Sequence, residues 1–151
     1  MAVNPFDDPS KRPASGWRRR IPSMLIVDDE PLVGAALGRT LADEFAVVVA
    51  SSGNEAFERV RFGASFDVIL CDVNMPAMDG VELLERLRES EPSLAARVIF
   101  MTGGLTDHTL RERVESLPNL LLEKPLDLDA LRALVRRRAG GCQAAGSGGA
   151  G

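Results

Sequence analysis

Five short apolar runs set the terms for this chain: Met24 to Val27 (MLIV), Phe45 to Ala50 (FAVVVA), Asp67 to Cys71 (DVILC), Arg97 to Met101 (RVIFM) and Asn119 to Glu123 (NLLLE). Each is short, β-rich and without polar alternation, which is how a strand covered on both faces reads. Between them, apolar residues fall at helical spacing. Val33, Leu37 and Leu41 predict a helix from Pro31 to about Glu44, with Pro31 in the first turn where its missing N–H costs nothing. Ala56, Phe57 and Val60 predict a short helix over 55–62 closed by Gly63, and Val81, Leu84 and Leu87 one over 80–90 with Asp79 as N-cap. Leu110, Val114 and Leu117 give only a thin stripe to a helix over 106–117, which should be the least firmly packed. Asp127 caps a last helix carrying Leu128, Leu131, Leu134 and Val135. Parallel strands need crossover helices, and right-handed crossovers place them on both faces. The expectation is a three-layer α/β fold around a five-stranded parallel sheet.

Composition narrows the function classes. With 151 residues, 45% hydrophobic and 26% charged, the chain supports one soluble domain. A net charge of −4 leaves no electrostatic footprint for nucleic acid across the whole chain. Cys71 and Cys142 suggest neither a disulfide framework nor a cysteine metal site, so a reducing cytoplasm fits. No apolar stretch approaches the roughly 18 residues of a membrane span, and neither signal peptide nor anchor is read. Residues 1–22, with Pro5, Pro9, Pro13 and Pro22, read as a flexible leader in which Arg18-Arg19-Arg20 is a solvated charge run. Residues 23–138 are the domain, and 139–151 a disordered Gly/Ala tail or linker stump.

Four of the five runs stop at a group that can do chemistry: Asp28 and Asp29 after the first, Asp72 after the third, Thr102 after the fourth and Lys124 after the fifth. In a parallel sheet those ends share one edge, so residues 96 positions apart can meet there. Three carboxylates brought together repel one another unless a cation neutralises them, and an all-oxygen cluster suits Mg²⁺. Asp72 is ionised at neutral pH and can attack phosphorus without a general base, whereas a hydroxyl would need one and the chain has a single histidine, His108. Asp72 is therefore read as a phosphoryl acceptor. The Lys124 ammonium and Thr102 hydroxyl are placed to hold phosphoryl oxygens.

The pieces VDDE (27–30), CDVNMPAMDG (71–80), MTGG (101–104) and EKP (123–125), in this order and spacing, resemble the receiver domain of two-component response regulators over about residues 23–138. The resemblance implies a flavodoxin-like sheet of order 2-1-3-4-5 and phosphorylation by the phosphohistidine of a histidine kinase or phosphotransfer protein. It also implies Mg²⁺ held by Asp29, Asp72 and the Asn74 backbone carbonyl, with Asp28 acting through water. Thr102 becomes the switch hydroxyl, Lys124 the phosphoryl-binding amine, and the Lys124–Pro125 bond is cis by analogy. A phosphorylation-dependent homodimer is compatible with it, as is either a stand-alone regulator or one end of a hybrid kinase. One departure is Leu121, where many members carry an aromatic residue that swings inward on activation. Signalling here is therefore expected to rely on the Thr102 loop and the weak helix after it.

A competing class is the Mg²⁺-dependent aspartyl-phosphate phosphohydrolase, which also places Asp, Thr and Lys at strand ends. Such enzymes carry a second Asp two residues after the nucleophile as general acid. Here that position is Asn74, which cannot donate and retake a proton, so a turnover enzyme is not expected. Alternation along its strand points Cys71 into the core as inert filler, and His108 is expected to face solvent.

Overall fold

The computed structural model describes residues 21–146, and side chains through Ala139. The leader expected over 1–22, including Arg18 to Arg20, therefore lies almost wholly outside the described residues. β1 (Ser23–Val27), β2 (Ala46–Ala50), β3 (Val68–Asp72), β4 (Val98–Thr102) and β5 (Leu121–Glu123) form one sheet of order β2-β1-β3-β4-β5 with every pairing parallel. α1 (Pro31–Leu41), α2 (Gly53–Arg61), α3 (Gly80–Ser90), α4 (Pro92–Ala95), α5 (His108–Glu115) and α6 (Leu128–Gly146) make the connections and close the chain. The predicted three-layer architecture and strand order are both present.

Strand alternation sorts the core into two layers. Leu25, Val27, Ile69, Cys71, Val98 and Phe100 face one side, against Ala56 and Val60 of α2, Val81 and Leu84 of α3, and Leu110 and Val114 of α5. Met24, Ile26, Val68, Leu70, Ile99 and Met101 face the other, against Leu41 of α1 and Leu131 and Val135 of α6. β3 is buried along its whole length because it is central and covered twice. Each large side chain so enclosed contributes about 1.5–3 kcal/mol.

The differences from expectation have local causes. α1 stops at Leu41 rather than Glu44: the amides of Glu44 and Phe45 both turn back onto the Leu41 carbonyl, and Phe45 is pulled into the core ahead of β2. Its buried row is Gly34, Gly38 and Leu41, with Val33 and Leu37 only half-buried. A Cβ on Gly34 would stand 3.0 Å from Val49 Cγ1, and one on Gly38 3.1 Å from Val49 Cγ2, so the two glycines let α1 lie close on β2. α2 begins at Gly53 rather than residue 55, because Ser52 accepts from the Glu55 amide and starts the helix two residues early. The single-turn α4 was not foreseen. It is two residues past α3, with Pro92 at its start and Leu94 and Ala95 buried. α5 is shorter than the 106–117 expected, since Asp107 caps it at the Leu110 amide. α6 runs to Gly146, past the point where the domain was expected to end.

Candidate functional site

Backbone bonds beyond the ladders tie the strand ends together. The Asp28 amide donates to Ala50 O (3.1 Å), Val73 to Met101 O (3.0 Å), and Lys124 to Thr102 O (2.8 Å). At this edge the first, third and fifth strands deliver Asp28, Asp72 and Lys124 to one point. Lys124 Nζ lies 3.1 Å from Asp28 Oδ2 and 3.2 Å from Asp72 Oδ2, although Lys124 and Asp28 are 96 residues apart. Both acids are nearly sealed, Asp28 being 1% and Asp72 4% exposed. Their other oxygens are used locally: Asp28 Oδ1 accepts from the Glu30 amide (2.9 Å) and Asp72 Oδ1 from the Asn74 amide (3.1 Å).

Asp29 is half-buried beside them, and one carboxylate oxygen from each of Asp28, Asp29 and Asp72 lies within 4.8 Å of the others. Oxygens on opposite sides of an octahedral Mg²⁺ stand about 4.2 Å apart, given bonds of about 2.1 Å. A hard, oxygen-only donor set at this spacing fits that ion with small side-chain adjustments. Burial raises the Asp72 pKa above the usual carboxylate range, opposed by the Lys124 charge and reinforced by Asp28. For Lys124 burial is the largest single influence and acts downward, but the two carboxylates together outweigh it and hold the ammonium above its ordinary range. Burial drives the Cys71 thiol strongly upward, with Asp72 adding to it, so this cysteine is core filler as expected. His108 is exposed and lies 3.5 Å from Glu112 on its own helix.

Thr102 is buried at the end of β4, and its Oγ1 accepts from the Gly104 amide at 3.0 Å, so the hydroxyl oxygen is engaged within its own loop. Asn74 is exposed; its Nδ2 donates to the Gly104 carbonyl at 3.1 Å. A cavity of about 200 Å³ lies between Thr102, Gly104, Leu105, Arg111, Leu121 and Lys124. Leu121 is half-buried and packs on the core. The structure thus brings Asp28, Asp29, Asp72 and Lys124 together and sets Thr102 and Asn74 at the rim. The Lys124–Pro125 bond is cis.

Two contributors were not legible as such in the sequence. Gly80 reads there as a turn residue, yet a Cβ on it would stand 2.7 Å from the Asp72 carbonyl oxygen, 3.1 Å from Val73 Cα and 3.3 Å from Phe100. Its absent side chain is what lets α3 start against the acceptor strand, with the Gly80 amide donating to Val73 O (3.0 Å). Gly80→Ala is expected to lose about 1–3 kcal/mol, because backbone atoms cannot yield as a flexible side chain would. The denaturant midpoint measures it, and an unchanged midpoint would show that α3 can shift. Gly104, at φ 138°, occupies a conformation that suits glycine and joins Asn74 to Thr102.

A parallel sheet of this order, with a buried acid cluster and a lysine at its carboxyl edge, defines a class, and comparison with known proteins agrees. Residues 24–136 match the family model for the response regulator receiver domain. The chain is 32% identical over 117 residues to Response regulator Rre1 of Synechocystis, covering 76% of this chain and 50% of that protein. It is 34% identical over 115 residues to Transcriptional regulatory protein ZraR of Escherichia coli, covering 76% of this chain and 25% of that one. Among solved structures, the Francisella response regulator 1452 receiver domain superposes with a TM-score of 0.64 at 26% identity, over 78% of this chain and 95% of that one. FixJ-N gives 0.66 at 27%, over 80% and 94%. The chain belongs to the response regulator receiver family, a module of two-component signalling. It spans half or less of the length of these two curated relatives, so the name ZraR bears describes a protein four times the matched stretch.

Proposed function

We propose that residues 23–138 form a phosphoryl-accepting receiver in a His–Asp relay, with Asp72 as acceptor. The observation that carries this reading is the Lys124 ammonium held between the buried Asp28 and Asp72 carboxylates, 3.1 and 3.2 Å away. An Asp72 oxygen attacks the phosphorus of a phosphohistidine presented by a histidine kinase or phosphotransfer protein. An O–P bond forms, the P–N bond breaks, and its electron pair stays on the imidazole nitrogen, which takes a proton from solvent. Asp29, Asp72 and the Asn74 carbonyl would hold Mg²⁺, with Asp28 acting through water; when bound, the ion neutralises charge gathering on the phosphoryl oxygens. Lys124 exchanges its contact with Asp72 Oδ2 for a phosphoryl oxygen, and Thr102 donates its hydroxyl hydrogen to another.

The added charge then draws the Thr102 loop inward and alters the surface formed with α5, through which a downstream partner or a second copy is engaged. Leu121 offers no aromatic ring for that movement. The protein thus catalyses its own modification without being a turnover enzyme. Asn74 supports this, since its side-chain amide is engaged with Gly104 and supplies no general acid. Among the described residues no helix is long and apolar enough to cross a membrane. We place the module in the cytoplasm and, its net charge being −4, give it no direct nucleic-acid partner.

The test is to incubate the protein with Mg²⁺ and acetyl phosphate and weigh it. Wild type should gain one phosphoryl group, and a chelator should prevent it. A protein that stays unmodified ends this reading, and steady phosphate release from small phosphoesters would favour the hydrolase instead.

A further inference from the structure

A continuous hydrogen-bonded path leads from the acceptor to the loop that follows β4. The Asn74 amide donates to Asp72 Oδ1 at 3.1 Å, Asn74 Nδ2 to the Gly104 carbonyl at 3.1 Å, and the Gly104 amide to Thr102 Oγ1 at 3.0 Å. The middle link joins two loops 30 residues apart in sequence. Gly104 is gripped on both sides of its α-carbon while holding φ 138°, and a Cβ there would meet nothing within 4 Å. Gly104 is exposed, and hydrogen bonds engage both its amide and its carbonyl.

We propose that the Asn74 side chain is a positioning residue: its amide latches the Gly104 carbonyl and so holds the Thr102 loop in the arrangement seen here. The inference rests on Asp72 being the acceptor. Any rotation of residues 102–104 that carries the Thr102 hydroxyl toward a phosphoryl oxygen is opposed by the Asn74–Gly104 bond. One hydrogen bond at an exposed site shifts such an equilibrium by a few-fold to about tenfold. Asn74 therefore sets how readily the loop leaves its resting place, separately from the affinity of Asp72 for the phosphoryl group. Because Asn74 is exposed, its substitution should move the loop equilibrium without moving global stability.

Amide hydrogen exchange at Gly104 reads the latch through the bond that amide donates to Thr102 Oγ1. In Asn74→Ala, the Gly104 amide of the unmodified protein should exchange about three- to tenfold faster than in wild type, with the melting temperature unchanged. Asn74→Leu, nearly isosteric, uncharged and without an N–H to donate, should match it. With Mg²⁺ and beryllofluoride bound, wild type and both variants should exchange alike, because the latch is then open in all three. An unchanged Gly104 rate before beryllofluoride overturns the proposal, and so does a difference that survives its addition. A faster rate in the variants together with a wild type that takes up no beryllofluoride would confirm the latch and overturn the assignment of Asp72 instead.

Discussion

A protein carrying Asp72→Ala is expected to gain no phosphoryl group from acetyl phosphate and Mg²⁺, and, in chelator, to melt higher than wild type. The loss follows because Asp72, at the end of the central strand β3, is the proposed acceptor, and its Oδ2 already meets the cationic side chain of Lys124. The gain follows from electrostatics. Burial and the neighbouring Asp28 raise the Asp72 pKa in the folded state despite Lys124. The unfolded chain therefore holds the ionised form more easily. Wild-type stability falls as pH rises from the unfolded carboxylate value, about 4, through the raised folded value, and stays reduced above it. The variant lacks that penalty, so its advantage should be present at neutral pH and vanish in acid below about pH 4. Melting curves across pH check the sign, and a variant that still gains phosphoryl mass would place the acceptor elsewhere.

Lys124→Met is expected to act in the opposite sense, losing about 2–4 kcal/mol of unfolding free energy when measured in chelator. Methionine fills much of the lysine stem's volume but leaves Asp28 and Asp72 facing each other with no cation. Removing one partner from a buried ionic cluster leaves the rest uncompensated, which is why the loss exceeds what an exposed pair would give. Added Mg²⁺ should restore more stability to the variant than it adds to wild type, since three carboxylates without an ammonium bind a divalent ion more strongly. Modification by acetyl phosphate should slow by about 10²-fold, as when one preorganised oxyanion donor is removed. Equal Mg²⁺ effects in the two proteins would mean that the ion does not share the carboxylates with Lys124.

The fold was legible because its strands are written as unbroken apolar runs and their ends as polar ones. A run such as Val68 to Cys71 has no polar face to expose, so two covering layers follow from it. Strand order is another matter. Periodicity implies a parallel sheet but does not order it, and the 2-1-3-4-5 arrangement came from the resemblance carried by Asp28, Asp29, Asp72, Thr102 and Lys124. Element ends were less legible, since they depend on tertiary pull and capping. Phe45 ends α1 early by entering the core, and Ser52 starts α2 early through one side-chain bond. Gly34, Gly38 and Gly80 hid their roles because a missing side chain is a signal only once its neighbour is known. The Asn74–Gly104 contact was hidden for a related reason, as it joins loops whose separation no local pattern encodes.

The lysine that neutralises the acid pair arrives on the last strand to be made, and that strand reaches β1 only through β4 and β3. Until β5 docks, Asp28 and Asp72 lack their fixed cation, and a divalent ion is what remains to hold the two carboxylates side by side.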